Sequence, residues 1–191
     1  ANGTAVNVSV VIQNSAPVLQ SIPDVTVNET DTAIIQLNAA DLDNDVLIYS
    51  TNATKGTLNS TSGQYTWATT YDDAGIYWFS FTASDGELTD TKVAKITVIN
   101  VNRPPTIDSY YPLTNPTITE EQSQEFNITK SDPDGDTLTV QWYLNGTPKV
   151  TSDSYTHVAD YNSAGEYNVT VSATDGQLDV THEWLLTETN V

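Results

Sequence analysis

The constraint that most limits what this chain can fold into is an internal repeat. Sliding the 191-residue sequence along itself by about 90 positions superimposes Tyr65-Thr66-Trp67 on Tyr155-Thr156-His157. The same offset places Tyr71 to Leu88, with Ala74-Gly75-x-Tyr77 and Asp85-Gly86-x-Leu88, on Tyr161 to Leu178, with Ala164-Gly165-x-Tyr167 and Asp175-Gly176-x-Leu178. Asp41, Asp43 and Asp45 fall on Asp132, Asp134 and Asp136, and Glu29 falls on Glu120. Each copy must therefore close its own core in about 90 residues, which suits two small domains rather than one large one.

Within each copy apolar and polar residues alternate with period two, in short runs broken by Gly, Pro, Asn and Asp, so the chain is all-β. Tyr77, Phe79, Phe81 and Ala83 point one way while Ile76, Trp78, Ser80 and Thr82 point the other, and Tyr167, Val169, Val171 and Ala173 repeat the pattern. Strand-like runs near 24–28, 32–38, 46–51, 57–60, 64–68, 76–83 and 91–99 give seven strands in the first copy, enough for a sandwich. Asp73-x-Gly75-x-Tyr77 resembles the immunoglobulin tyrosine corner, and Phe79 and Val169 stand where the second immunoglobulin cysteine would be. With no cysteine in the chain, apolar packing replaces that disulfide and thiolate chemistry is excluded.

The expected layout is an Ig-like sandwich over residues 17–101, a second over 104–191, and an N-terminal strand over 1–14. Asn100-Val101-Asn102-Arg103-Pro104-Pro105 forms a linker stiffened by proline. Asn14-Ser15-Ala16-Pro17 looks like the same junction, and Val6, Val8 and Val10 before it align with Ala94, Ile96 and Val98 of a final strand. That orphan strand is the end of a preceding domain, a donor that adds to a neighbouring subunit and builds a filament, or a strand that pairs with its own domain's edge.

Asp41-Leu42-Asp43-Asn44-Asp45 and Asp132-Pro133-Asp134-Gly135-Asp136 place carboxylates on alternate residues of tight turns. Their mutual repulsion is relieved by a hard, oxygen-liganded cation such as Ca²⁺. In an Ig-like sandwich the loop carrying Asp132, Asp134 and Asp136 and the turn carrying Asp175 share one end. Facing the hinge from the first domain's far end are Glu29, Asp72 and Asp73, while the linker adds Asn100 and Asn102. A matching site at the front of the first domain uses Asp41, Asp43, Asp45 and Asp85. Taken singly each Asp is an ordinary turn former; duplication of the set is what points to metal.

Asp-Pro-Asp-Gly-Asp, Trp142, Ala164-Gly165-x-Tyr167-x-Val169 and Ala173-Thr174-Asp175-Gly176 resemble cadherin-like repeats and the PKD-type domains of archaeal and bacterial surface proteins. The resemblance covers both copies and implies calcium held between consecutive domains by a Glu of one, the linker and the acidic loops of the next. The linker departs from the cadherin pattern, with Asn100, Asn102 and Arg103 where that family has acids, so one ion or at most two is expected.

With 6 Lys plus Arg against 25 Asp plus Glu the net charge is -19, which repels nucleic acid and anionic membrane surfaces. No apolar run is long enough for a membrane span, and the start at Ala1 suits a processed, exported chain. Eight sequons, at Asn2, Asn7, Asn28, Asn52, Asn59, Asn127, Asn145 and Asn168, are candidates for glycosylation, with chance in an Asn- and Thr-rich chain as the alternative. Most aromatics read as core; Trp78 faces outward, where a strand, a glycan or a sugar ring covers it. His157 and His182 adjoin no nucleophile motif, so no enzyme activity is expected. The expected role is a calcium-rigidified structural or adhesive part of a cell surface or extracellular filament, its partners neighbouring copies, adjacent Ig-like domains or glycans. The alternative is a carbohydrate- or protein-binding module of a larger secreted protein.

Overall fold

A computed structural model describes residues 13–191, so the expected N-terminal strand and the sequons at Asn2 and Asn7 lie outside the described residues. The described residues form strands and turns with no helix. The chain divides between Val101 and Asn102, which places Asn102 and Arg103 with the second domain rather than in a free linker.

The first domain runs β1 (Val18–Leu19), β2 (Val25–Asn28), β3 (Thr32–Gln36), β4 (Ala39–Ala40), β5 (Ile48–Thr51), β6 (Thr57–Leu58), β7 (Gln64–Ala68), β8 (Gly75–Ser84) and β9 (Thr89–Ile99). One sheet has the order β2-β9-β8-β5 and the other β3-β7-β6, with the short pair β1-β4 beside them. β2 joins β9 in parallel, Val25 opposite Ile96, whereas the long β8–β9 hairpin is antiparallel from Gly75↔Val98 to Ser84↔Thr89. The strand expected at 46–51 begins only at Ile48, because Asp45 and Val46 still belong to the acidic loop and Val46 is exposed. The two-residue strands β1 and β4 escape a periodicity argument, since an alternation cannot be seen in two residues.

The second domain runs β10 (Thr106–Tyr111), β11 (Thr117–Thr119), β12 (Ser123–Ser131), β13 (Thr139–Leu144), β14 (Thr147–Pro148), β15 (Ser154–Val158), β16 (Gly165–Thr174) and β17 (Asp179–Thr189). Its sheets are β10-β12-β15 and β11-β17-β16-β13-β14, and β11 again lies parallel to the last strand. The Ig-like sandwich read from the repeat is thus present in both halves.

Each core is the sum of inward positions from both sheets. In the first domain Ile35, Leu37, Tyr65 and Trp67 of one layer meet Tyr49, Phe79, Phe81, Ile96 and Val98 of the other. In the second, Phe126, Ile128 and Tyr155 meet Trp142, Val169, Val171, Trp184 and Leu186. Bulk has changed strands between the copies. β8 supplies Phe79 and Phe81 opposite Ala94 and Thr51's strand, whereas β16 supplies Val169 and Val171 opposite Trp184 and Trp142. Filling the interlayer space to protein density requires such compensation, because neither a void nor an overlap is tolerated cheaply.

The turn before β8 is tied down as the sequence predicts. Tyr77 Oη donates to the Asp73 carbonyl at 3.0 Å, and Tyr167 Oη donates to that of Ser163 at 2.5 Å.

Candidate functional site

The acidic turns follow β4 in the first domain and β12 in the second, and their local geometry is set by the first Asp of each. Asp41 Oδ1 accepts the N–H groups of Asp43 at 2.8 Å and Asp45 at 3.3 Å. Asp132 Oδ1 does the same for Asp134 at 2.8 Å and Asp136 at 3.2 Å. Such side-chain-to-backbone bonds fold the loop back on itself. The fourth residue of each turn takes a left-handed backbone, Asn44 at φ 63° and Gly135 at φ 79°, which these two residue types accept more readily than others.

Folding the loop this way gathers charge. One carboxylate oxygen each from Asp41, Asp43 and Asp45 lies within 4.8 Å of the others, and the same holds for Asp132, Asp134 and Asp136. Asp41 Oδ2 and Asp132 Oδ2 are shielded from solvent and have no hydrogen-bond partner among the described residues. Asn102 Oδ1 is in the same condition.

The turns between the last two strands supply a fourth carboxylate. Asp85 Oδ1 accepts the N–H groups of Leu88 and Glu87 at 2.6 and 2.7 Å, and its Oδ2 accepts the Asn14 amide at 3.1 Å. Asp175 Oδ1 accepts from Leu178 and Gln177 at 2.7 and 2.6 Å, and its Oδ2 accepts the Asn102 amide at 2.8 Å. These donors hold both carboxyls below the usual carboxylate range, led in each case by the Leu N–H.

The residue after each Asn completes the arrangement, and here the domains part. In the first, the Ser15 N–H reaches Asp43 Oδ2 at 2.7 Å. In the second, the Arg103 N–H reaches Asp134 Oδ2 at 2.7 Å, its Nε reaches Oδ1 at 2.8 Å, and its Nη2 lies 2.7 Å from Oδ1 and 2.6 Å from the Pro133 carbonyl. The guanidinium and N–H of Arg103 depress Asp134 below the ordinary value, against burial and, less, the charge of Asp175. Asp132, Asp134, Asp136, Asp175 and Asn102 therefore gather at one end of the second domain, as Asp41, Asp43, Asp45, Asp85 and Asn14 do in the first.

Glu29, Asp72 and Asp73 stand elsewhere. They flank the start of β8, whereas Asp85 follows its end, roughly 30 Å away along a strand of this length. Glu29 is only 1% exposed, and its two oxygens accept the N–H groups of Ala74 at 3.1 Å and Val101 at 2.8 Å. Asp73 is buried and takes Lys55 Nζ at 2.6 Å together with the N–H and hydroxyl of Thr70, each at 2.8 Å; the Lys55 bond is the main reason its carboxyl ionises more readily than usual. The structure thus gives Glu29 and Asp73, expected as ligands, partners inside their own domain. Asp72 and Asn100 are exposed.

The sequence reading missed a buried polar cluster in the second domain. His157 Nε2 pairs with Glu188 Oε1, Ser163 Oγ donates to Glu188 Oε2 at 2.6 Å, and Tyr155 Oη meets His157 Nδ1 at 3.3 Å. The carboxylate lies between the hydroxyl and the imidazole, so the imidazole does not receive the Ser163 proton and no nucleophile is formed there. The available signal was Glu188 at an inward position of β17, following Trp184 and Leu186. Among the described sequons Asn28, Asn52, Asn59, Asn145 and Asn168 are exposed and Asn127 is half-buried. Asn52 Oδ1 accepts the Ser80 N–H and Asn145 Oδ1 the Asn168 N–H, both at 2.8 Å.

A family model described as bacterial Ig domain matches residues 14–97 and 102–184. Chitinase A of Pseudoalteromonas piscicida is 28% identical over 134 residues, 69% of this chain and 16% of that protein, so the chain spans a small part of that relative's length. Two crystal structures of human protocadherin-24 EC1-2 superimpose with TM-scores of 0.56 and 0.52 at 14% and 15% identity. They cover 92% and 94% of this chain and all of the other, and show a shared fold.

Proposed function

We propose, for a chain that belongs to the bacterial Ig-domain family in two tandem copies, a non-catalytic structural role in an exported protein, with Ca²⁺ binding at the acidic loops of its domains. The observation that carries this reading is the convergence of three carboxylates within 4.8 Å in each loop, with Asp41 Oδ2 and Asp132 Oδ2 shielded from water and unpartnered. A buried charged oxygen without a donor is costly, and a cation removes that cost.

The donor set fits a hard ion. It offers only oxygen: Asp41, Asp43, Asp45 and Asp85 in the first domain, and Asp132, Asp134, Asp136, Asp175 and the Asn102 carbonyl in the second. Such a set suits Ca²⁺ over softer metals, which prefer nitrogen or sulfur. Because Asn14 and Asn102 are tied to Asp85 and Asp175, an ion at each loop fixes the segment that enters the domain.

Export is supported by the family and by the similarity to part of a chitinase, which favours a pair of domains serving as one section of a longer secreted or surface-displayed protein. Exposed Asn28, Asn52, Asn59, Asn145 and Asn168 are then the described sequons open to glycans. The test is calorimetric melting with 1 to 100 equivalents of calcium and with chelator, beside titration calorimetry. An added midpoint shift with calcium that Asp41→Asn/Asp43→Asn removes from the first domain's transition alone is the expected outcome. Superimposable melts in calcium and chelator eliminate the ion from the reading.

A further inference from the structure

We propose that the outer face of the sheet β2-β9-β8-β5 in the first domain is a binding face for a neutral polysaccharide, with Trp78 as the stacking platform. Trp78, Ile76 and Val93 are 63%, 61% and 58% exposed on this face. Ile76 and Trp78 are alternate residues of β8. Val93 of β9 lies diagonal to Trp78, since it pairs with Ser80 while Lys95 pairs with Trp78 itself. The three side chains form one apolar strip on the sheet's outer surface, and Trp78 stacks on no other ring among the described residues. Hydroxyls border the strip, from Ser80 and Thr82 on β8 and Thr91 and Thr97 on β9.

Charge identifies the occupant. The chain carries 25 acidic residues, yet no outward strand residue of β2, β5, β8 or β9 is Asp or Glu, and the one charge there is Lys95. The corresponding face of the second domain has Glu166 for Ile76, Asn168 for Trp78 and Glu183 for Val93. Exclusion of acids from one face of a chain at -19 leaves a surface without fixed repulsion toward an uncharged ligand, while the rest of the molecule still repels polyanions. The apolar patch of this face, Ile76, Trp78 and Val93 with Ile99 and Ile48 toward its ends, is interrupted by hydroxyl-bearing Ser and Thr and holds one indole, unlike the continuous apolar centre of a stable protein interface. It matches the CH-bearing face of a pyranose ring, which stacks on an indole while ring hydroxyls meet the flanking Ser, Thr and Lys side chains.

The test is depletion of the intact chain from solution by suspended chitin or cellulose, with soluble polygalacturonate in affinity electrophoresis as the acidic counterpart. Chelator is present throughout, so the acidic loops take no part and failure of ion binding leaves the result unchanged. Retention on at least one neutral polymer is expected, falling at least tenfold in Trp78→Ala and less in Trp78→Phe, with the melting midpoint of both variants unmoved. No retention on either neutral polymer, equal retention of Trp78→Ala, or binding to polygalacturonate alone overturns the proposal.

Discussion

The acidic loops of the two domains match bond for bond at Asp41 and Asp132 and at Asp85 and Asp175, yet they differ in what balances their charge. The first loop has only the Ser15 N–H at Asp43, whereas in the second the Arg103 guanidinium grips Asp134. A tethered cation and a dissolved one compete for the same carboxylates. On the proposed calcium binding, four Asp without a cation are expected to make the first loop the stronger site, and the second, with an internal counter-charge, the weaker one. The lesson is that a repeated motif fixes where ligands gather, while a single residue outside it decides how strongly they need an ion.

The largest expected effect is confined to one domain. In the second, His157→Ala leaves buried Glu188 with only the Ser163 hydroxyl, which costs about 3–5 kcal/mol in urea unfolding. The pair His157→Trp with Glu188→Val, the residues of the first domain at Trp67 and Val98, restores most of that; a double variant as unstable as the single one contradicts an equivalence of the two positions. Calcium comes next, raising the first domain's stability by about 3 kcal/mol at a hundredfold excess over Kd and the second's by less. Arg103→Ser is expected to tighten binding at the second loop, and titration calorimetry showing no gain breaks the charge comparison.

Smaller and equal effects follow from the shared turn: Tyr77→Phe and Tyr167→Phe each cost about 1 kcal/mol, read as matched shifts of the two unfolding transitions. The weakest is the response to acid, which has the same sign in both domains but a different onset. Burial beside Tyr110 lowers His182 from 6.5, so the unfolded chain takes up that proton first and the second domain loses stability as pH falls from 6.5 through the folded value. In the first domain Lys92 holds Asp90, and Lys55 holds Asp73, below 3.8; that stability is present above 3.8 and lost only as pH falls further. Calorimetry in chelator between pH 7 and 4 therefore shows the second transition moving before the first.

Much of this was readable in the residues. Period-two alternation gave the strands, and the repeat of Tyr77 as Tyr167 and of Asp41 as Asp132 located both the corner and the acidic loops. What could not be read were contacts between residues distant in sequence. Arg103 sits in a proline-rich segment, and nothing local indicates that its side chain returns to Asp134. Glu29 was expected as a ligand from its place at the hinge-facing end of the first domain and from the Glu that the cadherin-like resemblance implies; that it accepts the Val101 N–H depends on the parallel pairing of β2 with β9, which only the tertiary fold creates. His157 aligns with Trp67 of the first copy, but its bond to Glu188 needed Glu188 to be recognised as inward-facing.

The exchange of large and small residues between the two cores bears on how the chain reaches its native state. Neighbouring sandwiches of like topology can trade hairpin strands while folding, a known hazard of tandem arrays. A hybrid that set β17 against β8 would force Trp184 onto Phe79, and its complement, β9 against β16, would leave Ala94 facing Val169 across unfilled space. Each half is therefore size-coded for its own partner strand, and the mismatch discourages entanglement without any residue devoted to that purpose.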